Sequence, residues 1–187
     1  AEQLQKGMEF LAYAQMADSA INVNKSEYLN KELDYVIKTQ PLNAFLDSLR
    51  DASALNLGIA YRKNGYFLSA LDLFNKQIAE EVLVGKSNQL GELHLNKGLT
   101  LILLEKYGEA SVALQDALKI FFDLNNNSKI SETYNLMAKN NLLKQDFGKV
   151  IEQCNESIEY AKQSNDLQNL AAAYLILSET YAANNDF

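Results

Sequence analysis

The feature that most constrains this chain is a register that returns every forty residues. Gly58, Gly98, Ala138 and Ser178 fall on one beat, and Phe67, Tyr107, Phe147 and Phe187 on another. Ala70, Ala110 and Val150 mark a third. The clearest copy runs from Leu57 to Phe74, LGIAYRKNGYFLSALDLF. Its small Gly58 and aromatic Tyr61 are followed by a turn at Asn64-Gly65, then by Phe67, the small Ala70 and Phe74. That order reads as helix, tight turn, helix. A lone helix pair cannot hide its apolar face, so similarity at a fixed period points to a stack in which each pair covers the next. The expected fold is all-α, a solenoid of antiparallel helix pairs.

Composition agrees with long helices. The 187 residues include one proline, Pro41, and 8 glycines, so little interrupts a helical run. Hydrophobic residues at 48% and charged residues at 22% suit a folded chain rather than a disordered one. A net charge of −7 without a local basic stripe argues against direct nucleic-acid binding. No run of 18 apolar residues occurs, so no membrane span is expected. Cys154 is the single cysteine and excludes an internal disulfide framework, which by itself does not separate cytoplasm from an exported location. The opening AEQLQKGMEF carries no signal-peptide pattern. That tilts localisation toward the cytoplasm and leaves an exported or periplasmic site open, since a cleaved or truncated N-terminus reads the same way.

In order, residues 1–41 read as a divergent N-terminal helix pair, with Met8, Leu11, Ala14, Ala17 and Ile21 near helical spacing and a second helix ending before Pro41. Full repeats are expected at 42–84, 85–124 and 125–164, and a truncated one at 165–187. All belong to one solenoid domain. Polar joints at Gly85-Lys86-Ser87, Asn125-Asn126-Asn127 and Ser164-Asn165-Asp166 separate the units. The last first-type helix carries Tyr174, Leu177 and Tyr181 on the face a partner helix should cover. The expectation is therefore a piece of a longer protein, or a homodimer through this apolar C-terminal end.

These residues resemble the tetratricopeptide repeat (TPR) family. Its Leu-Gly, Tyr, Gly-acidic-Tyr and small-aromatic-small frame is matched by Leu57-Gly58, Tyr61, Gly65, Phe67, Ala70 and Phe74. The next copy supplies Gly98, Tyr107, Glu109, Ala110 and Ala117, and the likeness covers roughly 42–187. The third copy departs most, with Ala138 for glycine, Asn141 for tyrosine and Val150 for alanine. The resemblance implies a TPR-like superhelix acting in protein–protein interaction. The long repeat is similar to those of bacterial regulatory and sensor TPR proteins. That implies an alternative role in signalling, as the input segment of a transcription regulator or signal-transduction protein whose output domain lies beyond residue 187.

The same resemblance implies a concave groove lined by the first helices, suited to a protein or peptide partner and above all to an amphipathic helix. Carried across, the partner-binding positions are Asn56, Ile59 and Arg62, then Glu92, Leu95, Asn96 and Leu99, then Asn135 and Lys139, and finally Leu175 and Glu179. The alternative is that these leucines pack beneath a neighbouring helix or a dimer partner. Asn56 and Asn96 would then tie repeats together by side-chain hydrogen bonds. No catalytic residues, metal ligands or cofactors are implied. His94, the only histidine, holds the repeat position of Tyr134 and Tyr174, which is a packing site. Cys154 reads as a small buried hydrophobe rather than a nucleophile. Carboxylates such as Glu152, Glu156 and Glu159 follow the spacing of a solvated helix face, so no enzyme is expected.

Overall fold

From Glu105 to Asn165 the backbone passes through one left-handed residue every twenty positions, and Gly65 makes the same turn forty before the first: φ is 80° at Gly65, 59° at Glu105, 52° at Asn125, 61° at Gln145 and 53° at Asn165. The N–H of the next residue then reaches back five positions. Tyr66 donates to the Tyr61 carbonyl at 2.9 Å, Lys106 to Leu101 at 2.9 Å, Asn126 to Phe121 at 3.0 Å, Asp146 to Asn141 at 3.0 Å and Asp166 to Ala161 at 2.8 Å. This closing motif satisfies carbonyls that a helix end leaves without partners. It also reverses the chain within two or three residues. The forty-residue register is thus two successive reversals.

The computed structural model describes residues 44–82, 85 and 87–184, with side chains from Ala54 onward. The helix pair expected over 1–41 and the last three residues of the truncated repeat expected over 165–187 lie outside the described residues. Seven helices and no strand occur among those described: α1 (Ala44–Lys63), α2 (Phe67–Glu81), α3 (Asn88–Leu103), α4 (Tyr107–Asp123), α5 (Asn127–Leu143), α6 (Phe147–Ser164) and α7 (Leu167–Asn184). The chain divides into two compact units, residues 1–83 and 84–187, so α1 and α2 fall in the first and α3 to α7 in the second. Several starts are capped by side chains. Ser87 Oγ accepts from the Leu90 N–H at 3.0 Å, and Asn126 Oδ1 from that of Lys129 at 3.2 Å. Asp166 Oδ1 accepts from the Asn169 N–H at 2.9 Å.

Small residues on the beat are where paired helices cross. A methyl group on Gly58 would overlap the ring of Phe74, so α1 and α2 need glycine there. In the second unit a Cβ on Gly98 would lie 2.7 Å from Leu114 Cδ2, and one on Gly91 2.5 Å from Phe121 Cε1. Phe74, Leu114 and Phe121 are each fully buried in these crossings. The α5–α6 pair uses different residues at the same places. Ala138, Val150 and Cys154 form its buried centre, with Leu142, Ile176 and Leu177 packed around it. At the position of Gly91 stands Ser131. Its Oγ donates to the Ser157 carbonyl at 2.8 Å, while Ser157 Oγ donates back to the Ser131 carbonyl at 3.0 Å. Polar groups are thus paired where the preceding pair is apolar, as burial requires.

Repeats are joined by side chains that reach across. Asn140 Nδ2 on α5 donates to the Tyr107 carbonyl at 3.1 Å and to Ser111 Oγ at 2.9 Å, both on α4. Asn135 Nδ2 on α5 donates to the Asn169 carbonyl of α7 at 2.9 Å, and Asn169 Nδ2 returns a bond to the Ser128 carbonyl at 3.1 Å. Within residues 84–187, successive first helices α3, α5 and α7 approach one another directly, whereas the second helices α4 and α6 do not. The first helices therefore lie on the shorter, inner side of this unit.

Candidate functional site

A helix advances 100° per residue, so residues 7 and 11 apart share a face. On α3 the residues meeting α4 are Gly91 and Gly98, which underlie Phe121 and Leu114. The stripe Glu92, Leu99 and Leu103 lies a little over a quarter-turn round the helix from them. Its counterpart on α5 is Glu132, Lys139 and Leu143, and on α7 it runs through Glu179. These stripes share one face of the first helices by repeat position.

A charged contact marks the seam between α3 and α5. Lys129 Nζ lies 2.5 Å from Glu92 Oε1 and 2.9 Å from Glu132 Oε2, with only 27% of its side chain exposed. Burial pulls the Lys129 ammonium toward lower pKa, but hydrogen bonds to Glu132 and Glu92 outweigh it and hold the group above the usual lysine range. Glu92 is thus engaged by a neighbouring helix. Further along the same stripes are exposed leucines: Leu103 is 45% exposed and Leu143 is 49% exposed. Neither leucine was singled out from the sequence. Their signal was available, since 103 and 143 fall one forty-residue step apart and on the stripe of Leu99 and Lys139.

The residues expected to bind a partner divide by burial. Lys139, Leu175 and Glu179 are exposed, and Glu92 and Leu99 are half-buried. Leu95, Asn96 and Asn135 are buried in the helix packing. Asn96 Nδ2 donates to the Glu92 carbonyl at 2.9 Å, within its own helix, and Asn135 is taken up in the α5–α7 joint. These three offer a partner little surface. Asn56, Ile59 and Arg62 are half-buried on α1, in the other unit.

His94 and Cys154 occupy packing positions. His94 Nδ1 lies 3.7 Å from Asp116 Oδ2, with 12% of the side chain exposed. Burial lowers its pKa, with Lys97 adding to the effect and Asp116 opposing it. At the equivalent position of the next repeat, Tyr134 stacks on Tyr160 with ring centroids 6.1 Å apart, and Phe122 meets both rings edge-on. Burial raises the Cys154 thiol to about 11, so it is not a thiolate at neutral pH. Among the described residues no group of three His, Cys, Asp or Glu side chains is placed to hold a metal ion. Nor is any described helix long and apolar enough to cross a membrane. Two concavities of the second unit, about 560 and 140 Å³, are lined by amides, hydroxyls, Leu124, Met137 and the lysines 144 and 149, without a carboxylate. Neither brings together the paired acids that general acid–base chemistry uses.

The fold is that of TPR-like repeat proteins. BtubC (BKLC) from P. vanneervenii superposes with a TM-score of 0.75 at 17% identity, covering 88% of this chain and 67% of that one. A putative kinesin light chain of Podosopora anserina, with nearly identical TPR-like repeats, gives 0.67 at 16% identity over 99% of this chain and 88% of its own. A single-substitution form of that same protein gives 0.69 at 16% identity over 99% and 87%. No protein-family model matches the sequence, and no curated protein matches it.

Proposed function

We propose that this chain is a non-enzymatic protein-interaction module that holds a segment of a partner protein against the inner side of its first helices. One observation carries the reading: α3, α5 and α7 lie side by side and turn toward solvent a strip in which exposed leucines alternate with charges. Leu103 and Leu143 supply apolar contact, while Lys139 and Glu179 set polarity along the strip. That mixture suits an amphipathic helix or extended peptide with apolar residues one or two turns apart. Leu99, half-buried between them, forms the floor. In the other unit Ile59 of α1 stands at the repeat position of Leu99 and Lys139.

Peptides selected from a displayed library against the whole chain provide the test. Their binding is expected to fall by roughly tenfold or more with Leu99→Glu or Leu143→Glu, because a charge then faces the partner's apolar side. Lys139→Glu is expected to change which peptide charges are preferred. Selected peptides that bind both leucine variants as tightly as the parent would remove the inner strip from consideration.

A further inference from the structure

The second helices α4 and α6 do not approach one another, which leaves a furrow between them floored by α5. Three rings close one end of it. Phe122 of α4 meets Tyr134 of α5 and Tyr160 of α6 edge-on, with centroids 6.4 and 5.7 Å away. Phe122 is 39% exposed and both tyrosines are half-buried, so solvent reaches the cluster. Seven residues from these, two turns along the same faces, stand Gln115, Asn141 and Gln153. They line the cavity of about 140 Å³ together with Lys144 and Lys149. Rings and cavity are therefore two ends of one furrow, about 10 Å apart along α5. Tyr134 stands half a turn round α5 from Leu143, so this furrow is distinct from the inner strip.

The two ends differ in charge. Position 156 faces position 134 across the helix pair, as the register shows: the counterpart Asp116 lies 3.7 Å from His94, the counterpart of Tyr134. Glu156 thus borders the rings. Burial raises the pKa of the Tyr134 hydroxyl, and the charge of Glu156 adds to it. Glu152 and Glu159, both exposed, stand one turn to either side of Glu156. Among the described residues no lysine or arginine pairs with Glu156 or lies on the three rings. At the cavity end Lys144 and Lys149 are exposed. Lys149 Nζ is held by Asp146 at 2.7 Å, whereas Lys144 pairs with no described carboxylate.

We propose that this outer furrow binds an extended peptide segment carrying an arginine and, three positions from it, an acidic residue. The guanidinium lies on the ring cluster beside Glu156, where a planar cation gains both ring contact and a carboxylate. The acidic side chain reaches Lys144, because three extended residues span about 10 Å. Charge complementarity at both ends fixes the direction of the segment in the furrow.

The probes are two capped peptides, Arg-Gly-Gly-Asp and the reverse order Asp-Gly-Gly-Arg, titrated into the full 187-residue chain and followed by the NMR resonances of its rings. One of the two is expected to give saturable shifts at Phe122, Tyr134 and Tyr160. Phe122 and Glu156 are exposed, so Phe122→Ala and Glu156→Gln leave the helix packing in place, which circular dichroism verifies. Each is expected to weaken binding about five- to tenfold. Replacing the peptide arginine by glutamine should remove the ring shifts. Lys144→Gln should weaken the acidic peptide and leave its asparagine counterpart unchanged. Leu99→Glu, on the inner strip, should bind as the parent does. Absence of saturable shifts with both peptides, or binding by Phe122→Ala and Glu156→Gln as tight as the parent's, would overturn the proposal.

Discussion

Replacing Glu105 by glycine should stabilise the protein, although glycine is ordinarily a poor choice beside a helix. Glu105 sits at φ 59°, with its side chain exposed, one residue before the Lys106 N–H reaches back to the Leu101 carbonyl. A residue with a Cβ in this left-handed region gives up roughly 1–2 kcal/mol to the clash between Cβ and its carbonyl neighbour. Glycine removes that clash and returns about 0.5–1 kcal/mol through the greater freedom of the unfolded chain. The difference is a net gain of about 0.5–1 kcal/mol, or roughly 1–4 °C in Tm for a domain of this size. Urea and thermal unfolding followed by circular dichroism measure it. Gln145→Gly makes the same change one repeat on, at φ 61°, and the pair should add. Lys119→Gly, at an exposed position inside α4, is the control and should cost about 1 kcal/mol. If Glu105→Gly destabilises as Lys119→Gly does, the left-handed turn stores no strain and the reasoning fails.

Three further outcomes follow from packing and charge. Gly98→Ala should destabilise by about 1–3 kcal/mol in urea unfolding, because its methyl would meet Leu114 at 2.7 Å with that side chain fully buried. Ser131→Ala and Ser157→Ala should each cost about 1–3 kcal/mol, while the double variant should cost less than their sum, since removing both partners leaves neither hydroxyl buried and unpaired. His94 gives a pH dependence: its folded pKa lies below the ordinary 6.5, so the unfolded chain binds the proton first as pH falls. Stability is full above about 6.5 and declines as pH drops below it, and His94→Gln should flatten that slope between about pH 7.5 and 5 in unfolding curves. An unchanged slope would mean that the ring is as solvated folded as unfolded.

The candidate surface was only partly legible beforehand. The family resemblance put Glu92, Leu99, Lys139 and Glu179 among the groove positions, and the structure leaves all four exposed or half-buried. It buried Leu95, Asn96 and Asn135, which stand one turn away on the same helices. Helical spacing fixes angles around an axis to within a turn. Whether the edge of a stripe is covered depends on how closely the adjacent first helix approaches, and no residue type reports that distance.

The sequence by itself determined the number and order of the described helices, the places where they must cross and the size of residue each crossing tolerates. Those properties follow from local rules, the 3.6-residue period and the volume left between two packed cylinders. Only the tertiary structure decided that Glu105 and Gln145 turn left-handed without glycine and that Lys129 bridges two acids across a seam. The bridge to Glu92 joins residues distant in the chain, and the left-handed turns are imposed by the closure of one helix onto the next; both override local preference.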